Sequence, residues 1–247
     1  MSGSLVVVGT GPGKSELMTP ATLSALAKAT DLVGYGPYLD RVPVTRPDQR
    51  RHASDNRVEL ERARHALSLA AAGREVVVVS GGDPGVFAMA AAVFEAVESG
   101  DPAWRLLDIR VEPGVTAMLA AAAEVGAPLG GDFCAISLSD NLKAWATIER
   151  RLRAAAEADF VIALYNPASK ARPHQLAKAF EQLRAIKAGE TPVMFVRAAG
   201  TPEAKVRATS LAEADAAHAD MRTLVIVGAS TTRQVGRWVY TPRGAKR

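Results

Sequence analysis

The sequence predicts an α/β protein made of two α/β domains, and three observations carry that prediction. Val76-Val77-Val78-Val79 is a run of β-branched residues, the mark of a strand buried on both faces of a parallel sheet. It runs straight into Ser80-Gly81-Gly82-Asp83-Pro84-Gly85, and Val6-Val7-Val8 runs likewise into Gly9-Thr10-Gly11-Pro12-Gly13. Segments of helical periodicity alternate with such strands through the first half, which is the pattern of a parallel sheet with helices between its strands. Near the middle, Gly126-Ala127-Pro128-Leu129-Gly130-Gly131 is a turn-rich break, so the domain boundary is expected between 114 and 131, dividing the chain into 1–114 and 115–247.

In chain order, Leu5–Val8 is the first strand. Thr19-Pro20 reads as a helix cap followed by proline at the first helical position, opening a helix to about Ala29 with Leu23 and Leu26 inward. Asp31–Gly34 is a second strand, ending in Tyr35-Gly36-Pro37-Tyr38. Residues 41–57 are polar and arginine-rich and read as a mobile loop, followed by a helix capped by Ser54 or Asp55 and stopped at Gly73. After the central valine strand come a helix from about Phe87 to Glu98 and a strand over Leu107–Val111. The second half is expected to hold strands at 133–138, 160–164, 193–196, 224–227 and 235–240, with helices over 141–157 and 173–187. Leu176, Phe180 and Leu183 are spaced to form one buried stripe of the second helix, and Lys187 continues that spacing.

Composition narrows the function classes. At 247 residues, 48% hydrophobic and 23% charged, the chain can bury a substantial core and reads as an ordinary soluble protein. No apolar run reaches the ~18–20 residues of a membrane span, and the first residues lack the basic segment of a signal peptide. One cysteine, Cys134, excludes an intrachain disulfide framework and any multi-cysteine metal site; inside a strand it reads as packing. His52, His65, His174 and His218 show no ligand spacing. A cytoplasmic enzyme without a metal is the simplest reading. The net charge of +4 suits an acidic small molecule, and no basic block with interleaved aromatics points to nucleic acid.

The segment Gly9-Thr10-Gly11-Pro12-Gly13-Lys14-Ser15 imitates a phosphate-binding loop but fails its spacing. A P-loop needs four residues between its glycines, which would put glycine where Val8 stands; the dinucleotide fingerprint would need its third glycine at Lys14. Pro12 also removes a backbone donor that a phosphate would use. A nucleotide-binding ATPase is therefore the rival reading that this loop supports least well.

These two glycine loops, together with Glu112-Pro113-Gly114-Val115-Thr116-Ala117, resemble the tetrapyrrole methylases, S-adenosylmethionine-dependent enzymes of cobalamin and sirohaem synthesis. Asp132-Phe133-Cys134, Ser137-Leu138-Ser139-Asp140, Tyr165-Asn166-Pro167, Ser169-Lys170-Ala171-Arg172 and Leu224–Gly228 resemble one branch of that family, the precorrin-3B C(17)-methyltransferases, which also contract the macrocycle. The likeness runs from Val6 to the Thr241-Pro242-Arg243-Gly244 tail. It implies a parallel N-terminal sheet, a mixed C-terminal sheet, S-adenosylmethionine in the cleft between the domains, S-adenosylhomocysteine as product, a precorrin-3B substrate and a homodimer. A cobalt-bearing substrate, an RNA substrate on the same fold and a non-catalytic dimeric scaffold are the competing readings.

Carried over residue by residue, the resemblance implies a cofactor site at Gly81, Gly82, Asp83, Val86, Phe87, Thr116, Ala117, Asn166, Ala198, Thr223 and Leu224. Asp83 either accepts a hydrogen bond from the methyl donor or caps the helix that follows. Methyl transfer from a sulfonium is an in-line displacement that needs alignment more than acid catalysis, which suits glycines and small residues. The substrate carries many carboxylates, so Arg46, Arg57, Lys170 and Arg172 are candidate partners, with Pro12, Gly13 and Tyr38 beside the macrocycle. Ring contraction needs proton movement, for which Lys14, Asp140 and Tyr35 are the candidate groups; Asp140 could equally cap the 141–157 helix. Many family members carry an acid where this chain has Lys14, and Lys143-Ala144-Trp145 stands where the branch often has Thr-Pro-Trp.

Overall fold

A computed structural model describes residues 3–55 and 58–244. It divides into two compact units, Met1–Ala117 and Met118–Arg247.

The first unit runs β1 (Ser4–Gly9), α1 (Pro20–Lys28), β2 (Asp31–Tyr35), α2 (Gly36–Leu39), β3 (Arg50–Ser54), α3 (Glu59–Ala71), β4 (Glu75–Ser80), α4 (Met89–Ser99) and β5 (Asp108–Glu112). Its sheet has the order β3-β2-β4-β1-β5, with every pairing parallel. The valine runs are buried because both faces are covered. Leu5, Val7, Val76 and Val78 pack with Ala66, Leu67 and Val93 of α3 and α4. Val6, Val8, Val77 and Val79 point the other way, among Leu26, Leu32 and Leu39. The connection from β1 and the connection from β4 therefore leave on opposite faces. The central strands β1 and β4 lie side by side with their carboxyl ends together, the place where open α/β sheets bind ligands.

Residues 41–57 were expected to form only a mobile loop, but β3 lies within them. Arg50–Ser54 pairs in parallel with β2 as an edge strand, and its mostly exposed residues give it no apolar run to betray it. Neither Ser54 nor Asp55 caps α3, which begins at Glu59 after Val58. Both instead hold Arg62: Ser54 Oγ accepts from its Nε at 2.8 Å and the Asp55 carbonyl from its Nη2 at 2.6 Å. The expected caps at Thr19 and Gly73 are present. Thr19 Oγ1 accepts from the Thr22 amide at 3.1 Å, and Gly73 turns the chain out of α3 with φ 85°.

The second unit runs α5 (Ala117–Val125), β6 (Gly126–Ala127), β7 (Phe133–Ser137), α6 (Trp145–Glu157), β8 (Val161–Tyr165), α7 (Gln175–Arg184), β9 (Pro192–Arg197), β10 (Lys205–Ser210), β11 (Thr223–Val227), β12 (Arg233–Val235) and β13 (Trp238–Tyr240). Its main sheet is mixed, in the order β10-β9-β11-β8-β7, with only β7 and β8 parallel. A small sheet, β12-β13-β6, adds a hairpin where one strand was expected; Gly236, at φ 58°, makes its turn. β10 is a second edge strand that lacks an apolar run. The stripe Leu176, Phe180 and Leu183 is fully buried, and Phe180 meets Phe195 of β9 edge to face. Lys187 lies beyond α7 and turns inward, where its ammonium pairs with Asp159 at 3.0 Å. Cys134 packs against the same core, and burial pushes its thiol up against a smaller opposing pull from Lys187, which is packing rather than nucleophile chemistry.

At the amino edge of the first sheet, Asp31 is fully buried and serves as an ionic anchor. Its Oδ1 meets His52 Nε2 at 2.9 Å and its Oδ2 accepts from Arg74 Nε at 2.7 Å. Burial pushes this carboxyl up, but the hydrogen bonds from Arg74, His52 and Thr30 outweigh it and hold it at about 2, below its ordinary 3.8. A folded-state value below the unfolded one makes the contribution complete above pH ~4 and lost as the pH falls toward 2. It amounts to about 2 kcal/mol at ~1.4 kcal/mol per unit. Urea midpoints should show Asp31→Asn destabilised at pH 6, with the gap to wild type closing by pH 2.

Candidate functional site

In the first unit the loops leaving β1, β4 and β5 are knitted together through backbone. Gly11 and Gly82 exchange two hydrogen bonds, Gly11 N–H to Gly82 O at 3.1 Å and Gly82 N–H to Gly11 O at 2.8 Å. Thr10 gives both its amide and its hydroxyl to the Ser80 carbonyl, at 2.9 and 3.0 Å. The Gly82 carbonyl lies where side chains would otherwise be: a Cβ on Gly9 would stand 2.6 Å from it, and a Cβ on Gly114 only 2.3 Å. Three glycines are needed so that three strand ends can touch.

Of the two roles expected of Asp83, the helix cap is excluded by the structure. Its Oδ1 accepts from the Gly85 amide at 2.8 Å and its Oδ2 from the Gly114 amide at 3.0 Å, tying the β4 loop to the β5 loop. It does not cap α4, which starts at Met89 after Ala88 with no side-chain cap. Gly82 itself is left-handed, with φ 65°, and the nearest atom to a Cβ built there is Thr116 Cα at 3.7 Å. The structure thus brings Gly82 beside Thr116 and Ala117, close enough that a Cβ on the glycine would touch their backbone. Phe87 is also left-handed, at φ 53°, and about half-exposed, so the expected helix start at Phe87 moves to Met89.

Tyr38 lies under this loop. A Cβ on Gly81 would stand 2.8 Å from its Cζ, and Tyr35 packs edge-on against it with ring centroids 5.4 Å apart. Pro12 and Gly13 sit in the loop after β1, and Lys14 is exposed at the start of the 3-10 turn Ser15–Leu17. Arg46 is not with these groups. It pairs with Asp48, Nε to Oδ1 at 3.0 Å, and reaches the carbonyl of Lys28 at the end of α1, on the amino side of the sheet. Arg57 lies outside the described residues.

In the second unit the remaining cofactor candidates gather at one edge of the mixed sheet. Asn166 follows β8, Ala198 follows β9, and Thr223 and Leu224 open β11, whose antiparallel register sets Thr223 beside Arg197. Asn166 and Ala198 are left-handed, at φ 52° and 51°. Asn166 Nδ2 donates to Ser137 Oγ at 2.9 Å, and Ala198 N–H to the Arg222 carbonyl at 2.9 Å. Thr223 is buried and bonds Asp220 through its hydroxyl at 2.8 Å. Asp140 is exposed and accepts from Gln175 Nε2 at 3.3 Å; it is not a helix cap, because α6 begins at Trp145 after Ala144. Lys170 and Arg172 belong to a tight turn closed by Ser169 and Arg172, which exchange backbone hydrogen bonds of 3.2 and 3.0 Å.

Two supports were not among the expected site residues. Tyr165 Oη accepts from the Met118 amide at 3.0 Å and pins the first turn of α5 to β8. Ser137 positions Asn166, and its place in the Ser-Leu-Ser-Asp segment was the only hint of a role. No cluster of side chains that could hold a metal occurs among the described residues, and no helix there is long and apolar enough to cross a membrane.

The chain belongs to one family by its sequence: residues 4–215 match the Tetrapyrrole (Corrin/Porphyrin) Methylases. Over 98% of its length it is 60% identical to a Sinorhizobium protein named precorrin-3B C(17)-methyltransferase, covering 97% of that protein. The crystal structure of the methyltransferase CobJ superposes with a TM-score of 0.95 at 55% identity, over 98% of this chain and 100% of that one. A uroporphyrin-III C-methyltransferase from Thermus thermophilus, crystallised with S-adenosylhomocysteine, shares the fold at a TM-score of 0.70 and 24% identity, over 92% of this chain and 97% of that one.

The close packing of Gly9, Gly82 and Gly114 makes a direct prediction. Gly114→Ala forces a methyl against the Gly82 carbonyl, with only backbone to give way. A thermal melt should show it far less stable than wild type, by several kcal/mol, at the upper end of what overpacking costs (~1–3 kcal/mol or more).

Proposed function

We propose that this chain is an S-adenosylmethionine-dependent methyltransferase that methylates precorrin-3B at C17 and contracts its ring to give precorrin-4. The observation that carries this reading is the knot of the β1, β4 and β5 loops at Gly82, whose backbone, free of side-chain bulk, comes beside Thr116 and Ala117. The 60% identity to a protein of that name supplies the substrate.

When bound, S-adenosylmethionine supplies a methyl group on a positively charged sulfur. The work left to the protein is alignment and exclusion of water, which can contribute ~7–11 kcal/mol in favourable cases. Gly81 and Gly82 present backbone without side-chain bulk, and Val86 and Phe87 offer apolar surface beside it. Thr116 and Ala117 lie against Gly82. In the second unit, Asn166, Ala198, Thr223 and Leu224 offer a second set of backbone and small-side-chain contacts. Asp83 holds this arrangement through its two amide contacts, one to each carboxylate oxygen. Pro12, Gly13 and Tyr38 are proposed to lie along the tetrapyrrole.

Calorimetry checks the cofactor. S-adenosylhomocysteine should bind and Mg-ATP should not, since the Gly13-Lys14-Ser15 segment lacks P-loop spacing. Gly82→Val should lose that binding while the protein still folds: the left-handed backbone adds ~1–2 kcal/mol of strain for a side chain with Cβ, and the branched group takes up the space beside Thr116 and Ala117. A Gly82→Val protein that binds S-adenosylhomocysteine as wild type does would displace the site.

Ring contraction needs a proton donor or acceptor, whereas methyl transfer does not, so the two steps should separate by mutation. Lys14 is proposed for this role, with Asp140 and Tyr35 as the other groups; it is exposed in the loop after β1. In single turnovers with precorrin-3B, Lys14→Ala should leave S-adenosylhomocysteine affinity within about twofold of wild type and slow contraction, read by absorbance, about tenfold or more, in line with the ~10²–10⁴-fold of general acid–base catalysis. Unchanged rates of methyl incorporation and contraction would remove Lys14 from the mechanism.

A further inference from the structure

A cation occupies a core position of α3. Arg62 is 5% exposed, on the inward face that carries Ala63, Ala66 and Ala70, and that face shares one core with Met89, Ala90 and Val93 of α4. Arginine is almost never so buried unless it is paired, yet none of the ion pairs among the described residues includes Arg62. Its partners are neutral. Nε donates to Ser54 Oγ at 2.8 Å, Nη2 to the Asp55 carbonyl at 2.6 Å, and Nη1 to Met89 Sδ at 3.3 Å. Burial lowers the pKa of the guanidinium, while Glu59 and Tyr38, the ring beneath Gly81, act in the opposite direction. Bulk alone does not call for a charge at such a position, since apolar residues fill cores without desolvating one. What the guanidinium adds is direction: its rigid fork ties the exit of β3 to the first residue of α4.

That first residue closes the loop after β4. The strands of this sheet are all parallel, so β3 and β4 leave it at the same end. The loop is held at its near end by the Gly11–Gly82 pair and by the Asp83 carboxylate. At its far end the Ala90 amide donates to the Pro84 carbonyl at 2.9 Å, but α4 has no side-chain cap, and Phe87 just before it is left-handed. Arg62 reaches this far end from another helix. We propose that Arg62 is a positioning residue for the methyl-donor site: by holding Met89 to the exit of β3 it fixes the far end of the loop 83–88, and with it the placement of Val86 and Phe87 against the donor. This rests on the proposed function and deepens it, because Val86 and Phe87 are cofactor residues in that reading.

The test compares Arg62→Met, which keeps aliphatic bulk and removes the fork, with Arg62→Lys, Ser54→Ala and wild type. Hydrogen exchange of the ligand-free protein reads the loop directly: the amides of 85–88 and of Ala90 should exchange about tenfold faster in Arg62→Met, while those of β8 and β11 keep their wild-type rates. Calorimetry well below the melting temperature reads the consequence. S-adenosylhomocysteine should bind Arg62→Met about tenfold more weakly, with Arg62→Lys and Ser54→Ala between it and wild type, the scale at which small misplacements act. In turnover, KM for S-adenosylmethionine should rise by a similar factor and KM for precorrin-3B should stay within about twofold of wild type. A merely structural role would lower the melting temperature and move neither the exchange of the loop alone nor one KM without the other. S-adenosylhomocysteine affinity of Arg62→Met within about twofold of wild type would overturn the proposal, whatever its melting temperature. If Arg62→Met does not fold, unchanged affinity in both Arg62→Lys and Ser54→Ala overturns it. Wild-type protein that fails to bind S-adenosylhomocysteine would instead overturn the cofactor reading, and faster loop exchange in Arg62→Met would then mark Arg62 as an anchor of the loop and nothing more.

Discussion

The Gly82 carbonyl is the fixed point of the first unit. It receives the Gly11 amide and occupies the volume that a side chain on Gly9 or Gly114 would need. Because this contact is backbone against backbone, it cannot relax by rotating a side chain. The valine strands supply the rigidity behind it. β1 and β4 are buried on both faces, so their ends cannot shift apart without opening two cores at once. The loop geometry is therefore a consequence of the core, and the approach of Gly82 to Thr116 a consequence of the loop.

Strain in the chain falls into two kinds. Phe87, Asn166, Ala198 and Asp159 are the non-glycine residues in left-handed conformation among those described. Asp159 turns the chain between α6 and β8 and is compensated: its carboxylate accepts from the Ser230 amide and the Lys187 ammonium, and these bonds hold it below its usual range against the opposing effect of burial. Phe87, Asn166 and Ala198 turn the chain at the residues assigned to the cofactor by family resemblance. Left-handed backbone at a side-chain-bearing residue costs about 1–2 kcal/mol.

What the sequence disclosed followed from how strongly each element was buried. Strands with continuous apolar runs, such as Val76–Val79 and Leu224–Val227, were legible because burial on both faces leaves no alternation to misread. The edge strands β3 and β10 were not, since Arg50–Ser54 and Lys205–Ser210 answer mainly to a neighbour's hydrogen bonds and carry no hydrophobic pattern. Helix starts slid for a related reason. Phe87 looked like the first residue of α4, and only its left-handed backbone shows that the loop continues two residues further. Asp83 was noticed for its charge, but its partners, the amides of Gly85 and Gly114, are loop backbone whose positions no periodicity encodes.

The same contrast separates the basic residues. Arg46, Arg62, Arg74 and Arg172 look alike in sequence, yet three of them are answered within the fold. Arg46 has Asp48, Arg62 has Ser54 and the Asp55 carbonyl, and Arg74 has Asp31. Each of these is a residue whose removal would first be felt in stability. Arg172 differs because the turn at Ser169 fixes its backbone while leaving its guanidinium without a partner. A charge satisfied by its own chain has no capacity left to recognise a ligand. The unpaired Nε and Nη1 of Arg172 are instead a cost that the fold carries.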